Sequence, residues 1–337
     1  MAKKPFLHLC LWLSVVLTGC AHSGTYVFLE GNALGTLYSI TYKKPSGVPQ
    51  GFEDTVKKNI AGCFDRINHS FSIYNNHSLL SNINNNRSQE TDSLFRIVFL
   101  KALRITEETA GAFDISAAPL FDMWGFGAEE RKAIDTETLE EIRSYTGMDK
   151  FVLEGTKLIK KDARSRLNMN GIAKGFACDF IAHTLEGLGI ENLLIEIGGE
   201  IVCKGLNPQK RSWKIGIDSP IDGNTIPGKD VFVTLRLTNK GLATSGNYRN
   251  YYIKDGEKFA HIIDPRTGTQ VHHNLLSVSV IADDCMTADA YATAFMVMGT
   301  DAAVAFLKKQ PQLGAYLIYE DNGVFRTFIT DNIQVDL

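Results

Sequence analysis

Apolar residues recur at helical spacing twice in the first third of the chain. Phe52, Val56, Ile60, Cys63, Phe64, Ile67 and Phe71 share one face and predict an amphipathic helix over 52–70. Leu94, Ile97, Val98 and Ile105 line one side of a second predicted helix, Ser93 to Thr109. Ahead of both, TYVFLEG and TLYSITYKK read as a strand pair with GNALG between them. SIYNNHSLLSNINNN is polar and asparagine-rich, a predicted loop with one helical turn. GAFDISAAPLFDMWGFG is read as a loop full of aromatics and glycines. A short helix at 136–145 and a hairpin, KFVLE-GT-KLIKK, follow. Ile172, Phe176, Phe180, Ile181, Leu185 and Leu188 fit a helix over about 172–188, stopped by Gly189.

From 192 to 282 the pattern changes to strands. The central Gly-Gly of LLIEIGGEIVCKG predicts a bulge or a close ligand approach. WKIGID, VFVTLRL, YRNYYIKDGEKFAHIID and LLSVSVIA alternate as antiparallel strands do, with Asp255-Gly256 as a hairpin turn. A helix over 286–299, a capped one from Asp301, and the hairpin AYLIYE-DNG-VFRTFI complete the chain. Helices and antiparallel strands mix without a regular βαβ alternation, so the fold class is α+β.

The first residues stand apart from this pattern. Lys3 and Lys4 precede a short apolar run, Phe6 to Val16, which is short for a bilayer span. LTGC then ends at Cys20, as a bacterial lipoprotein signal does. The expected organisation is a signal peptide over 1–19, a lipidated tether over 20–24 and one domain over 25–337. The alternative is an ordinary secretory signal cleaved nearby. Either way the protein is expected to be exported, and a lipid on Cys20 would hold it at a membrane surface without a spanning helix. His22 leaves inner or outer membrane open.

The 337 residues carry a formal net charge of −3, which gives no case for a nucleic-acid partner. Cys63, Cys178, Cys203 and Cys285 form no CxxC pair and are expected to be buried thiols. No HExxH, GxSxG or dinucleotide-binding glycine fingerprint occurs.

Five stretches carry candidate chemistry. In CMTADAYATAF, Asp289 and Thr293 are one helical turn apart and offer hard oxygen donors of the kind that hold Mg²⁺ or Ca²⁺; a solvated or capping carboxylate and a core threonine are the alternative. LNMNGIAKGFACDF places Gly171, Lys174 and Gly175 at a helix start, where orphan N–H groups favour an anion, yet it is not a P-loop. A tight turn with a surface lysine is the bland reading. HIIDPRTG offers His261 as an acid, base or nucleophile, or as a structural histidine. LATSGNYRNYY offers the hydroxyls of Thr244 and Ser245, or simply a turn. The aromatics of GAFDISAAPLFDMWGFG suit a planar ring, or form a lid over the core. His272-His273 is read as an exposed loop pair.

In their order along the chain, these stretches with ALGTLYSI, FSIYNNHSLLSNIN, IEIGGEIVCKG and MTADAYATAFMVMG resemble the ApbE family of flavin-handling lipoproteins, the FAD:protein FMN transferases. The resemblance covers nearly all of the chain after the leader. It implies a T-fold-like α+β architecture and the transfer of FMN from FAD to a threonine hydroxyl of a target protein, with release of AMP. FAD is the substrate, Mg²⁺ the cofactor, and acceptor subunits of membrane electron-transfer complexes the protein partners. By resemblance Mg²⁺ is held by the Gly171 carbonyl, Asp289 and Thr293. Leu34, Tyr74, Ala112, Phe113, Asp114, Asn168, Lys174 and Ile263 contact the flavin nucleotide, and His261 is the catalytic histidine. Asn168 stands where many members carry aspartate, and Leu34 where many carry methionine. A periplasmic FAD pyrophosphatase and a non-catalytic FAD-binding lipoprotein are the alternative functions.

Overall fold

The computed structural model describes residues 25–126, 135–221, 228–247, 251–254, 257–260 and 262–336, with backbone alone at 251–254 and 257–260. The first half runs β1 (Tyr26–Ala33), β2 (Thr36–Lys43), α1 (Phe52–Phe71), α2 (Leu79–Asn84), α3 (Ser93–Glu108), α4 (Ala118–Trp124), α5 (Thr136–Ser144), β3 (Phe151–Glu154), β4 (Lys157–Lys160) and α6 (Ala173–Glu186). Then come β5 (Leu193–Ile197), β6 (Glu200–Lys204), β7 (Trp213–Asp218), β8 (Val231–Leu237), β9 (Lys240–Gly246), β10 (Tyr251–Lys254), β11 (Glu257–Ala260), β12 (Ile263–Asp264) and β13 (Thr269–Gln270). The last elements are β14 (Leu275–Ala282), α7 (Cys285–Met298), α8 (Thr300–Leu307), β15 (Gly314–Asp321), β16 (Val324–Ile329) and β17 (Val335–Asp336).

An eight-stranded antiparallel sheet, in the order β1-β2-β5-β6-β9-β14-β15-β16, organises the molecule. The α+β expectation holds. Strand alternation sends successive residues to opposite faces. On β6, Val202 joins the large core packed under α1, α3, α6 and α7, whereas Ile201 and Cys203 join a second core. That second core lies against the small sheet β17-β8-β7, with Trp213, Ile215 and Leu235 facing Tyr316 and Ile318. The central sheet is thus covered by helices on one face and by strands on the other.

α7 is the core helix. Its residues are almost all buried, including Phe295 and Met296, as expected of a helix that is apolar all round. Its start is held by two aspartates. Asp284 accepts the Thr287 N–H at 2.7 Å, and Asp179 from α6 accepts those of Cys285 and Met286 at 2.9 and 2.8 Å. The orphan donors of the first turn are therefore satisfied by side chains.

Several local expectations are corrected. GNALG is not a five-residue connection; only Leu34 and Gly35 separate β1 from β2, both at positive φ, 52° and 75°. The asparagine-rich stretch contains all of α2, begun by Ser78, whose Oγ accepts the Ser81 N–H. The aromatic loop contains α4, whose early proline suits a first turn that needs no N–H there. The Gly-Gly of LLIEIGGEIVCKG is a two-residue hairpin turn, not a bulge, since Ile197 pairs with Glu200 across it. Thr244 and Ser245 lie within β9 rather than in a turn. Asp255-Gly256 lies outside the described residues, between the paired strands β10 and β11. The four cysteines are free and buried, as expected. Among the described residues no helix is long and apolar enough to cross a membrane.

Candidate active site

The segment before α6 is fastened from both sides. Asn84 at the end of α2 donates to the Leu167 carbonyl and accepts the Leu167 N–H, both at 2.8 Å. Asn168 donates its N–H to Ile115 O at 2.7 Å, and its Oδ1 accepts the Asn170 N–H at 2.9 Å. Asn168 thus shapes the turn leading to Gly171 through its amide oxygen, a role an aspartate would fill equally. α6 starts at Ala173, one residue later than the apolar pattern suggested.

Two glycines let this helix start meet α7. A Cβ on Gly175 would lie 2.4 Å from the Cys285 carbonyl oxygen and 2.8 Å from Asp289 Cβ, so no side chain fits there. The contact brings Asp289 Oδ2 to the Gly175 N–H at 3.0 Å. A carboxylate from α7 thereby caps the first turn of α6, where the helix dipole favours negative charge. At Gly171, a Cβ would lie 3.2 Å from Thr293 Oγ1 and 3.3 Å from the Phe113 ring. The fold therefore brings Phe113, Gly171, Asp289 and Thr293 to one place, joining sequence segments more than a hundred residues apart.

Lys174 completes the cluster with a partner the sequence did not disclose. Its Nζ lies 2.6 Å from Glu200 Oε1, in an ion pair whose lysine side chain is one-third exposed and whose glutamate is almost fully buried. Glu200 Oε2 is buried without a hydrogen-bond partner. Burial pushes the Glu200 carboxyl up, against the opposing pull of Lys174, and the charge of Asp289 pushes the same way. Burial likewise raises Asp289, while Lys174 and the Gly175 N–H oppose it. Burial disfavours the Lys174 ammonium, but Glu200 and Asp289 outweigh it and hold its pKa above an ordinary lysine's. Two buried carboxylates sharing one ammonium leave the cluster short of positive charge. Buried charges need such compensation, and perturbed groups of this kind concentrate at working sites.

The remaining predicted residues divide. Leu34 packs half-buried against the main core from its two-residue turn. That turn adjoins the Glu200 hairpin: Gly198 donates to Leu37 O at 3.0 Å and packs on Thr36. Ala112 and Phe113 are buried. Asp114 accepts the Ser116 N–H at 2.7 Å, so its carboxylate organises its own loop, and burial raises its pKa. Tyr74 is 74% exposed, free to meet a ligand. Ile263 is buried with Ala117, Leu120 and Met123 of the α4 region. His261 and Cys20 lie outside the described residues. His273 is not part of an exposed pair: its Nε2 meets the Met296 carbonyl at 2.6 Å and its ring packs on Gly299. Sequence reasoning missed Glu200, Asn84 and Asp179; the Gly-Gly before Glu200 was the one available hint.

The donor set suits a hard cation that keeps ligands for a substrate. The Asp289 carboxylate and the Thr293 hydroxyl are oxygen donors, one meeting the start of α6 and the other lying beside Gly171. Among the described residues no group of three His, Cys, Asp or Glu side chains forms a closed metal cage.

Comparison with known proteins identifies the family. The model of the ApbE family matches residues 34–317. The FAD:protein FMN transferase of Vibrio cholerae is 34% identical over 327 residues, covering 95% of each chain. That of Haemophilus influenzae is 35% identical over 322 residues, covering 92% of each. Among solved structures, the flavin transferase ApbE from Vibrio cholerae superposes with a TM-score of 0.81 at 32% identity, covering 91% of this chain and 97% of that one. The apo flavinyl transferase ApbE of Pseudomonas stutzeri gives a TM-score of 0.81 at 26% identity, covering 91% and 95%. With the family model spanning most of its length and relatives matched nearly end to end, this chain belongs to the ApbE family.

Proposed function

We propose that this protein is an FAD:protein FMN transferase that moves FMN from FAD to a threonine hydroxyl of an acceptor protein. The observation that carries the reading is the junction of α6 and α7, where Gly171, Lys174, Asp289 and Thr293 converge beside Phe113. Gly171, Asp289 and Thr293 would hold Mg²⁺, which supplies charge neutralisation for a pyrophosphate when bound. Lys174 supplies a cation at the start of α6, where backbone N–H groups already favour anions. The exposed ring of Tyr74 and the half-buried Leu34 offer apolar area to the flavin, while the buried Phe113 ring backs Gly171.

In the transfer, the threonine oxygen bonds to the FMN phosphorus and the bond from that phosphorus to the bridging oxygen breaks. AMP departs with the bridging oxygen, and the hydroxyl proton passes to a base, assigned to His261. The chain's own contribution is positional: the Asn84 clasp on Leu167 and the glycine contact at Gly175 fix the phosphate-facing helix start before substrate arrives. Cys20 would carry the lipid that places the enzyme at a membrane facing the periplasm, beside electron-transfer subunits that act as acceptors.

The test is to incubate the protein with FAD and Mg²⁺, with and without a candidate acceptor subunit, and to follow AMP and protein-bound flavin. AMP that appears only with acceptor, alongside a fluorescent acceptor, is the expected result. AMP without acceptor identifies a pyrophosphatase instead, and bound FAD with no AMP in either tube identifies a carrier. Asp289→Ala is expected to remove metal-dependent turnover by at least ~100-fold while the protein stays folded; full turnover by a folded variant refutes the metal assignment.

A further inference from the structure

The buried glutamate of the cluster belongs to no role so far. Glu200 emerges from the Gly198–Gly199 turn, with φ of 62° and 103°, directly onto the α6–α7 junction. Its Oε1 takes the Lys174 ammonium at 2.6 Å, and its Oε2 is buried and unpartnered. Lys174 directly precedes Gly175, whose N–H donates to Asp289 Oδ2 at 3.0 Å, so one turn of α6 carries the ammonium and meets Asp289. Two carboxylates therefore compete for one ammonium. With Glu200 present, the ammonium is engaged by Glu200 Oε1. With Glu200 neutral, Asp289 would be the remaining buried carboxylate able to compensate that charge, and a lysine–aspartate pair would occupy the oxygens a cation needs.

We propose that Glu200 is a positioning residue that holds Lys174 off Asp289 and thereby keeps the cation site open. The inference rests on the reading of Gly171, Asp289 and Thr293 as that site. It differs from a general effect of negative charge in one respect: Glu200 acts through Lys174, so its effect must vanish when Lys174 is gone.

Calorimetric titration of the full chain with Mg²⁺ alone, without nucleotide, tests this. Glu200→Gln is expected to raise the Mg²⁺ Kd at least tenfold. In the double variant Lys174→Met/Glu200→Gln the affinity is expected to return to within about threefold of wild type, since the competing ammonium is absent and a buried ion pair replaced on both sides is commonly tolerated. Comparing Lys174→Met with the double variant keeps the test valid if Glu200→Gln alone fails to fold, because in the methionine background loss of the Glu200 charge is expected to be neutral. A double variant as weak as Glu200→Gln, or a further tenfold loss from Lys174→Met to the double, overturns the proposal in favour of a direct metal ligand or a field effect. Unchanged Mg²⁺ affinity in folded Glu200→Gln overturns it while leaving the cation site in place. Absence of Mg²⁺ binding by wild type removes the cation reading itself, and this inference with it.

Discussion

Leu34 shows at a single residue how the fold carries strain where a ligand is expected. A branched apolar side chain at φ 52° occupies a backbone region that favours glycine and asparagine, at a cost of about 1–2 kcal/mol. The two-residue turn Leu34-Gly35 has positive φ at both positions, the geometry for which Asn-Gly is preferred. Replacing Leu34 by Asn is therefore expected to stabilise the protein by about 1 kcal/mol, after loss of a half-buried apolar contact. If Leu34 is retained for its contact with flavin, the same variant binds FAD more weakly. Denaturant unfolding and flavin-fluorescence titration measure the two effects. Increased stability with unchanged FAD affinity would remove Leu34 from the pocket, and decreased stability would show that its packing outweighs its strain.

At the scale of elements, the start of α7 matters most, because Asp289 and Thr293 ride on that helix. Asp179 gives both carboxylate oxygens to its first two N–H groups from α6, in the interior. Asp179→Ala leaves those donors unpaired and is expected to cost about 2 kcal/mol in denaturant unfolding; a loss below ~0.5 kcal/mol would mean that water replaces the carboxylate. The end of β4 supplies a pH-dependent element. Lys160 donates to the carbonyls of Asn84 and Ala163 at 3.1 and 2.9 Å. Burial, with the Arg166 charge, brings its pKa down to about 8. The folded chain then sheds this proton more readily than the unfolded one, so stability attributable to Lys160 rises with pH from about 8 to the unfolded value near 10.4. Unfolding of wild type and Lys160→Met at pH 7 and pH 9.5 checks the sign: wild type should gain on the variant at the higher pH.

How legible these elements are depends on how local their causes are. The Asp289–Thr293 pair was visible because one helical turn is a local spacing, and α1 and α3 because their apolar period is long. α4 was hidden and α2 showed only as a single turn: their six or seven residues fall short of two turns, and Pro119 reads as a breaker until it is seen to sit in the first turn. Glu200 was illegible for another reason. Its partner Lys174 is on a different element, and only the β5–β6 hairpin and its packing under α6 bring the two together. The same holds for the Asn84 clasp and for Asp179, where the accepting side chain and the N–H it takes lie on segments that only the fold brings together.

The whole molecule divides the labour between the two faces of its central sheet. The helix face carries the cluster of Gly171, Lys174, Glu200, Asp289 and Thr293, whereas the small sheet β17-β8-β7 closes the other face over its own core. Trp213 anchors that second core: it is buried, its indole N–H donates to Lys204 O at 2.9 Å, and its ring meets Tyr26 edge-on. Phe295 anchors the first from α7, fully buried and packed on Tyr291 and Phe306, two residues after Thr293. Trp213→Phe and Phe295→Leu are each expected to cost about 1.5 kcal/mol, since each removes part of a well-packed ring. Their functional effects should nevertheless part. A looser α7 shifts Asp289 and Thr293 against Gly171, so Phe295→Leu is expected to lower FMN transfer, and Mg²⁺ affinity at the proposed site, severalfold well below its melting temperature. Trp213→Phe loosens a core separated from the site by the sheet and leaves both values within about twofold. The comparison is made at matched fractions folded, which removes stability as a cause. Equal losses in the two variants would mean that the sheet transmits packing changes from face to face, because protein interiors are dense enough to do so; the predicted difference requires that the backbone hydrogen bonds of β6, β9 and β14 hold the sheet rigid between them.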